Sequence, residues 1–112
     1  MPVLKNLLVT VALATLLATP GAVAQASGDP AAGLSFARGI CAQCHKVVSD
    51  QQAPLRTAAP DFARIANMPS TTETALHVFL LSPHPTMPNL ILTQQQQEDV
   101  IAYILSLRTV QN

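Results

Sequence analysis

The sequence Cys41-Ala42-Gln43-Cys44-His45 places two cysteines one helical turn apart, with a histidine directly after the second. With this spacing each thiol can add to one vinyl group of a haem, and the next side chain then lies under the iron. A thioredoxin-like thiol pair is the main alternative, but it needs no histidine there and expects a strand-helix-strand pattern that the flanking residues lack. A zinc site is a weaker alternative, because the chain has no second ligand pair at zinc-finger spacing. The motif therefore predicts one haem c, covalently attached through Cys41 and Cys44.

Residues 1–24 have the pattern of an export signal. Lys5 supplies a positive charge, residues 7–18 form an apolar run, and a series of small residues ends at Ala24 as a cleavage site. Cleavage after Ala24 is the first choice, cleavage after Ala26 fits the same rule, and an uncleaved anchor is the alternative to both. The apolar run is short for a membrane span. Export would bring the chain to the periplasm, where bacteria attach haem to such motifs and where a free thiol pair would tend to oxidise.

The mature chain, residues 25–112, is predicted to be one small domain of about 88 residues. A hydrophobic core alone is barely sufficient at this size, and a buried porphyrin would add apolar area. The mature residues carry five basic and six acidic side chains. A chain this close to neutrality has no basic patch for phosphate backbones, so we expect no nucleic-acid partner.

The spacing of apolar residues predicts helices throughout the mature chain and no strand. Asp29 and Pro30 begin the first helix, which ends in the cysteine motif. Gly33 costs stability inside that helix, which indicates that another helix packs closely against it. Residues 47–59 are a loop by composition, and residues 59–67 contain a short second helix.

Two capping boxes mark the last two helices. Ser70 with Glu73 predicts a third helix through about residue 81, and Thr93 with Gln96 predicts the start of the fourth. The buried side of the third helix is expected to hold three apolar residues, Leu76, Phe79 and Leu80. The fourth helix has a wide apolar face, with Arg108 placed near its end to suit the helix dipole. Between them, residues 82–89 contain three prolines and are predicted to be a stiff, extended loop.

The order of these elements resembles the class I c-type cytochromes over nearly the whole mature chain. The resemblance rests on Gly33 and Phe36 before the cysteine motif, on the Ala-Pro-Asp-Phe segment 59–62, and on Met87-Pro88 before a helix that contains Tyr103. It implies an all-α cytochrome c domain over residues 25–112, with about four helices wrapped around one haem. It also implies that the first and last helices cross, with Gly33 and Phe36 against Tyr103.

The resemblance further implies the two iron ligands, His45 on the proximal side and Met87 on the distal side. Met68 is also followed by proline and competes with Met87, but it precedes the third helix, whereas Met87 lies where the family has its ligand. Methionine away from such a site usually fills core or surface space. His77 and His84 are the other candidates. His77 is expected to be a partly exposed helix residue, and His84, which is close enough to Met87 in the sequence to border the haem, is expected to be solvent-exposed rather than a ligand.

Pro60 is implied as a residue that supports the proximal ligand. In the family the carbonyl of the matching proline accepts the other ring N–H of the histidine, which fixes the ring and increases its basicity. Ala59 stands where glycine is common and Phe62 where leucine is common, and the carbonyl survives either change. The chain has no tryptophan, which in many relatives contacts a haem propionate. Arg56 or Arg64 could take that role.

The function implied is one-electron transfer by a soluble periplasmic monohaem carrier without catalytic residues. Histidine and methionine would fill both axial positions and leave no position for a substrate, and the thioether would raise the reduction potential relative to two histidines. Redox partner proteins would dock briefly around the haem edge, and the protein would contact a membrane only through a partner.

Two alternative functions remain open. One is a haem subunit of a larger dehydrogenase or oxidase complex; the other is a five-coordinate haem that binds a gas or reduces peroxide.

Overall fold

The structure is a computed structural model that describes residues 27–54 and 59–109. The predicted export signal, both proposed cleavage sites and Arg56 lie outside the described residues. Within those ranges the chain forms helices and no strand, which confirms the predicted small all-α fold. The described residues contain four α-helices: α1 Pro30–Gly39, α2 Phe62–Asn67, α3 Glu73–Leu81 and α4 Gln94–Ser106. None of the helices in the described ranges is both long and apolar enough to span a bilayer.

Two hydrogen bonds of Asp29 hold the start of α1 in place, one to a neighbouring residue and one to α4. As predicted, Asp29 is the N-cap and Pro30 the first helical residue, and the Asp29 side chain accepts the N–H of Ala31 at 2.9 Å. The backbone N–H of Asp29 in turn donates to the buried carboxylate of Asp99 on α4, at 2.8 Å. The Asp99 side chain thereby joins the start of α1 to α4, a helix distant in the sequence.

α1 and α4 cross at Gly33, as the resemblance implied. A Cβ atom at this position would overlap the carbonyl oxygen of Asp99 and lie 2.9 Å from the Cβ of Tyr103. The predicted close packing at Gly33 is thus confirmed, because only a residue without a side chain lets the two backbones approach this closely. Phe36, one turn further along α1, is half-buried and packs against the core cluster.

The hydrophobic core is organised along α4. The capping box predicted for this helix is present: Gln96 accepts the N–H of Thr93 at 2.9 Å, and the Thr93 hydroxyl accepts the N–H of Gln96. Beyond it, Ile101 is fully buried. The buried apolar residues that surround the α4 face come from α1, the segment after the cysteine motif, α2 and α3: Ala37, Val47, Phe62, Ala66 and Leu76.

The start of α3 differs from the prediction. Its N-cap is Thr72, whose hydroxyl accepts the N–H of Ala75 at 3.0 Å, so the capping box predicted between Ser70 and Glu73 is wrong. The reason lies in the neighbouring Thr71, which is buried and donates its hydroxyl to the carbonyl of Ile65 at 2.6 Å. This bond holds residue 71 against the end of α2, and the new helix begins only after it.

The buried side of α3 also differs from the prediction. Leu76 is buried and Leu80 packs partly against the core, but Phe79 is 46% exposed. The side of α3 that faces α4 includes His77 instead. The Nδ1 atom of His77 lies 3.2 Å from Oε1 of the buried Gln97 on α4. The Phe79 ring packs on the imidazole of His84 in the proline-rich loop, with centroids 3.6 Å apart. A polar contact between α3 and α4 thus sets the rotation of this short helix.

Arg108 contacts the C-terminal end of α2 rather than that of α4, for which it was predicted. α4 ends at Ser106, and the Arg108 guanidinium reaches across to donate to the carbonyls of Ala66, at 3.1 Å, and Thr71. These carbonyls end α2 and the turn after it, so Arg108 satisfies acceptors of another element.

Candidate haem-attachment site

The cysteine motif forms a tight turn directly after α1. Residues 41–43 are one turn of 3₁₀ helix, and the N–H groups of Cys44 and His45 both donate to the carbonyl of Cys41, at 3.1 and 2.8 Å. The motif was predicted inside the end of α1, but α1 stops at Gly39 and the backbone tightens after it. The two thiols and the imidazole therefore belong to a single turn at one end of α1.

Both cysteines are free thiols, and both are half-buried. Burial raises the pKa of the Cys41 thiol to about 11, and a hydrogen bond from its own backbone offsets only part of that shift. The thiol is therefore protonated at neutral pH. Thiol-disulfide exchange instead requires a thiolate with a lowered pKa, so this environment argues against the thioredoxin-like alternative.

The imidazole of His45 is held by the segment that precedes α2. Its Nδ1 lies 2.7 Å from the carbonyl oxygen of Pro60. A carbonyl oxygen can only accept, so Nδ1 carries the proton and the lone pair of Nε2 remains available to a metal. The N–H of Phe62 donates to the carbonyl of Lys46 at 2.9 Å, and the Phe62 ring centroid lies 5.3 Å from that of His45. The structure thus brings Pro60 to His45, while ligation of iron by His45 stays a prediction.

Gln51 is a site residue that sequence reasoning missed. Its side chain bonds to the backbone of Ala42, His45 and Val47, on both sides of the histidine. A glutamine in a polar loop has no motif around it, so its spacing gave no signal.

The donor set of this turn suits a covalent haem. Two free thiols one turn apart can form two thioether bonds, and an imidazole in a fixed tautomer offers one nitrogen to the iron. The residues present therefore fit the group that the motif predicted.

Comparison with known proteins agrees with this chemistry. The chain matches the cytochrome c family over residues 31–108. It belongs to the cytochrome c family. A cytochrome c-552 of Bradyrhizobium diazoefficiens is 40% identical to this cytochrome over 82 residues, which cover 73% of this chain and 78% of the relative. No solved structure is significantly similar to this chain.

Membership of the family establishes the cofactor and the general activity of this cytochrome. Its cofactor is covalent haem c with iron, and it is a monohaem electron carrier. Proteins of this family are typically electron carriers rather than enzymes, and they work through contact with redox partners.

Two methionines of this cytochrome lie on different parts of the fold. Met87 is half-buried in the non-helical segment between α3 and α4, where the proline-rich loop was predicted. This loop is not extended throughout, because the chain bends at residues 85–87. Met68 ends α2 and is 41% exposed. None of the hydrogen bonds or ring contacts given above involves Met87, so its role as distal ligand stays a prediction. His77 and His84 are both half-buried, and each is engaged with a neighbouring side chain, Gln97 and Phe79 respectively.

Proposed function

We propose that this cytochrome is an exported, periplasmic one-electron carrier with six-coordinate haem iron. In this proposal Cys41 and Cys44 form the two thioether bonds, His45 is the proximal ligand and Met87 the distal ligand. Pro60 holds the proximal imidazole through its carbonyl.

The contact between His45 and Pro60 carries the proposal. A bond from Nδ1–H to a carbonyl fixes the tautomer that leaves Nε2 free, orients the ring and increases its basicity. A metal-ligating histidine nearly always donates its other ring N–H in this way.

The position of Met87 supports it as the distal ligand. Three prolines restrict the backbone of the loop around it, and its side chain is half-buried, whereas Met68 is more exposed. A thioether is a soft, neutral ligand that favours ferrous iron, so it would raise the reduction potential. With both axial positions filled by protein side chains, no position is left for a substrate.

Export and transient partners complete the proposal. Residues 1–24 supply the sequence signal for export, and cleavage after Ala24 would leave residues 25–112.

Val78, Phe79 and Leu81 on α3 have exposed fractions of 59, 46 and 71%. Apolar side chains this exposed support contacts beyond those within the described chain, either with the haem or with the surface of a redox partner protein.

The experiment that tests the proposal is the visible spectrum of the protein matured in a bacterial periplasm, in both oxidation states. We expect a covalent low-spin haem, and in the oxidised form a weak long-wavelength band from sulfur-to-iron charge transfer. The intact mass should equal residues 25–112 plus one haem. Met87→Ala should lose the band, and the matched variant Met68→Ala should keep it.

Three other outcomes would contradict parts of the proposal. A high-spin spectrum and rapid carbon monoxide binding by the reduced wild-type protein would favour a five-coordinate, ligand-binding haem. Loss of the band in Met68→Ala rather than in Met87→Ala would exchange the two methionines. Stable copurification with a large dehydrogenase or oxidase subunit would replace the free carrier by a subunit of a complex.

A further inference from the structure

The Gln51 side chain makes three hydrogen bonds to the haem-attachment turn, by which we mean residues 41–47. Its Nε2 donates to the carbonyls of Ala42 and His45, at 3.2 and 3.0 Å, and its Oε1 accepts the N–H of Val47 at 2.8 Å. Both donors and the acceptor of the amide are therefore in use. Ala42 precedes His45 in the motif and Val47 follows it, so one side chain connects the backbone on both sides of the histidine.

A primary amide suits this position because the three backbone groups need two donors and one acceptor. Ala42 lies within the short 3₁₀ helix and His45 lies two residues after it, and the backbone hydrogen bonds given above for the motif use neither of their carbonyls. A carboxylate offers no donor at neutral pH, and a hydroxyl offers only one. Gln51 also donates its own backbone N–H to the carbonyl of Val48, at 3.2 Å, so a local turn positions the side chain.

We propose that Gln51 is a positioning residue for the axial histidine. This inference rests on the proposed function, in which His45 binds the iron. The Gln51 amide fixes the peptide groups around His45, and these fix the direction from which the imidazole meets both the Pro60 carbonyl and the iron. Without the amide, the turn relaxes, the Nδ1–H bond to Pro60 weakens, and the imidazole becomes a less basic and less well oriented ligand.

The test compares substitutions at Gln51 with the same substitutions at Gln52, the exposed residue that follows it. Gln51→Ala removes all three bonds, and Gln51→Glu keeps the acceptor for Val47 but places a carboxylate against two carbonyls. Gln52→Ala and Gln52→Glu reproduce the truncation and the added charge outside the turn. The readouts are the paramagnetically shifted NMR resonances of the His45 ring and the reduction potential, both measured on folded holoprotein well below its melting temperature.

We expect both Gln51 variants to shift the His45 resonances and the potential, and both Gln52 variants to match the wild type. If Gln51→Ala lowers only the melting temperature and leaves the ring resonances and the potential at wild-type values, Gln51 has a purely structural role and the inference is overturned. If the wild-type spectrum already lacks histidine and methionine ligation, the proposed function fails instead, and that result is seen before any variant is compared.

A measurement on the wild-type holoprotein covers the case in which the Gln51 variants fail to attach haem. The side-chain NH₂ protons of Gln51 should exchange with solvent at least tenfold more slowly than those of Gln52, because both Gln51 protons are hydrogen-bonded in the turn. Equal exchange rates would show that the amide does not hold the turn, and would also overturn the inference.

Discussion

At the scale of single residues, Tyr103 connects α4 to the haem-attachment turn. Its hydroxyl donates to the carbonyl of Val47 at 2.5 Å, and its ring centroid lies 6.3 Å from that of Phe62, which in turn contacts His45. Burial raises the pKa of Tyr103, and the nearby Arg38 charge offsets part of that shift. The phenol therefore stays protonated and keeps donating well above neutral pH.

We expect Tyr103→Phe to lower the free energy of unfolding by about 1–3 kcal/mol, because the substitution leaves the carbonyl of buried Val47 without its partner. Denaturant unfolding of the holoprotein, followed by haem absorbance, measures the change. Ser35→Ala is the matched control, since it removes an exposed hydroxyl of α1. Equal stability of Tyr103→Phe and the wild type would mean that water replaces the lost donor at no cost.

At the scale of secondary-structure elements, the crossing of α1 and α4 determines the fold around the site. Gly33 lets the two backbones touch, Asp99 joins the start of α1 to α4, and the haem-attachment turn follows at the other end of α1. The position of the cysteines therefore depends on how closely two helices distant in sequence can pack.

Two glycines of α1 give a matched test of this crossing. Gly33→Ala should destabilise the protein by at least about 1–3 kcal/mol, because its Cβ would overlap the Asp99 backbone and a backbone cannot move aside as a flexible side chain can. Gly39→Ala should be neutral or stabilising by up to about 1 kcal/mol, because nothing lies within 4 Å of a Cβ there.

Thermal and denaturant unfolding of both variants measure the difference. The two substitutions are chemically identical and lie in the same helix, so equal stabilities would contradict the close α1–α4 approach.

At the scale of the whole molecule, the charge distribution limits how partners can be attracted. Residues 25–112 carry five basic and six acidic side chains, and Lys46 is their single lysine. Long-range steering needs a potential of one sign over a large surface, and so few charges of mixed sign do not produce one. Partner recognition should therefore depend on short-range contacts around the haem edge, through a small interface.

The rate of electron transfer to a redox partner protein should accordingly depend weakly on salt. Between about 0.01 and 0.1 M ionic strength, where the Debye length falls from ~30 to ~10 Å, we expect the bimolecular rate constant to change by less than about threefold. Stopped-flow kinetics measure it. A control with lysines at three exposed positions, Ser35, Gln52 and Thr74, should show a steeper salt dependence. A steep fall in the wild-type rate would contradict this prediction.

The sequence by itself determined the cofactor chemistry and most of the helices, because both depend on residues close together in the chain. Cys41, Cys44 and His45 indicate haem through their spacing alone, and the caps at Asp29 and Thr93 involve only neighbouring residues. The closeness of the packing at Gly33 was also predictable, since a glycine inside a helix needs a compensating contact.

Only the tertiary structure decided how distant groups meet. The start of α3 moved because Thr71 bonds to Ile65, and Phe79 is exposed because α3 turns His77 toward Gln97 on α4. The same holds at the site, where Gln51 connects the peptide groups around His45. Local patterns report propensity and periodicity, but a buried polar group takes whichever partner the folded chain brings near it, and that partner cannot be seen in the sequence.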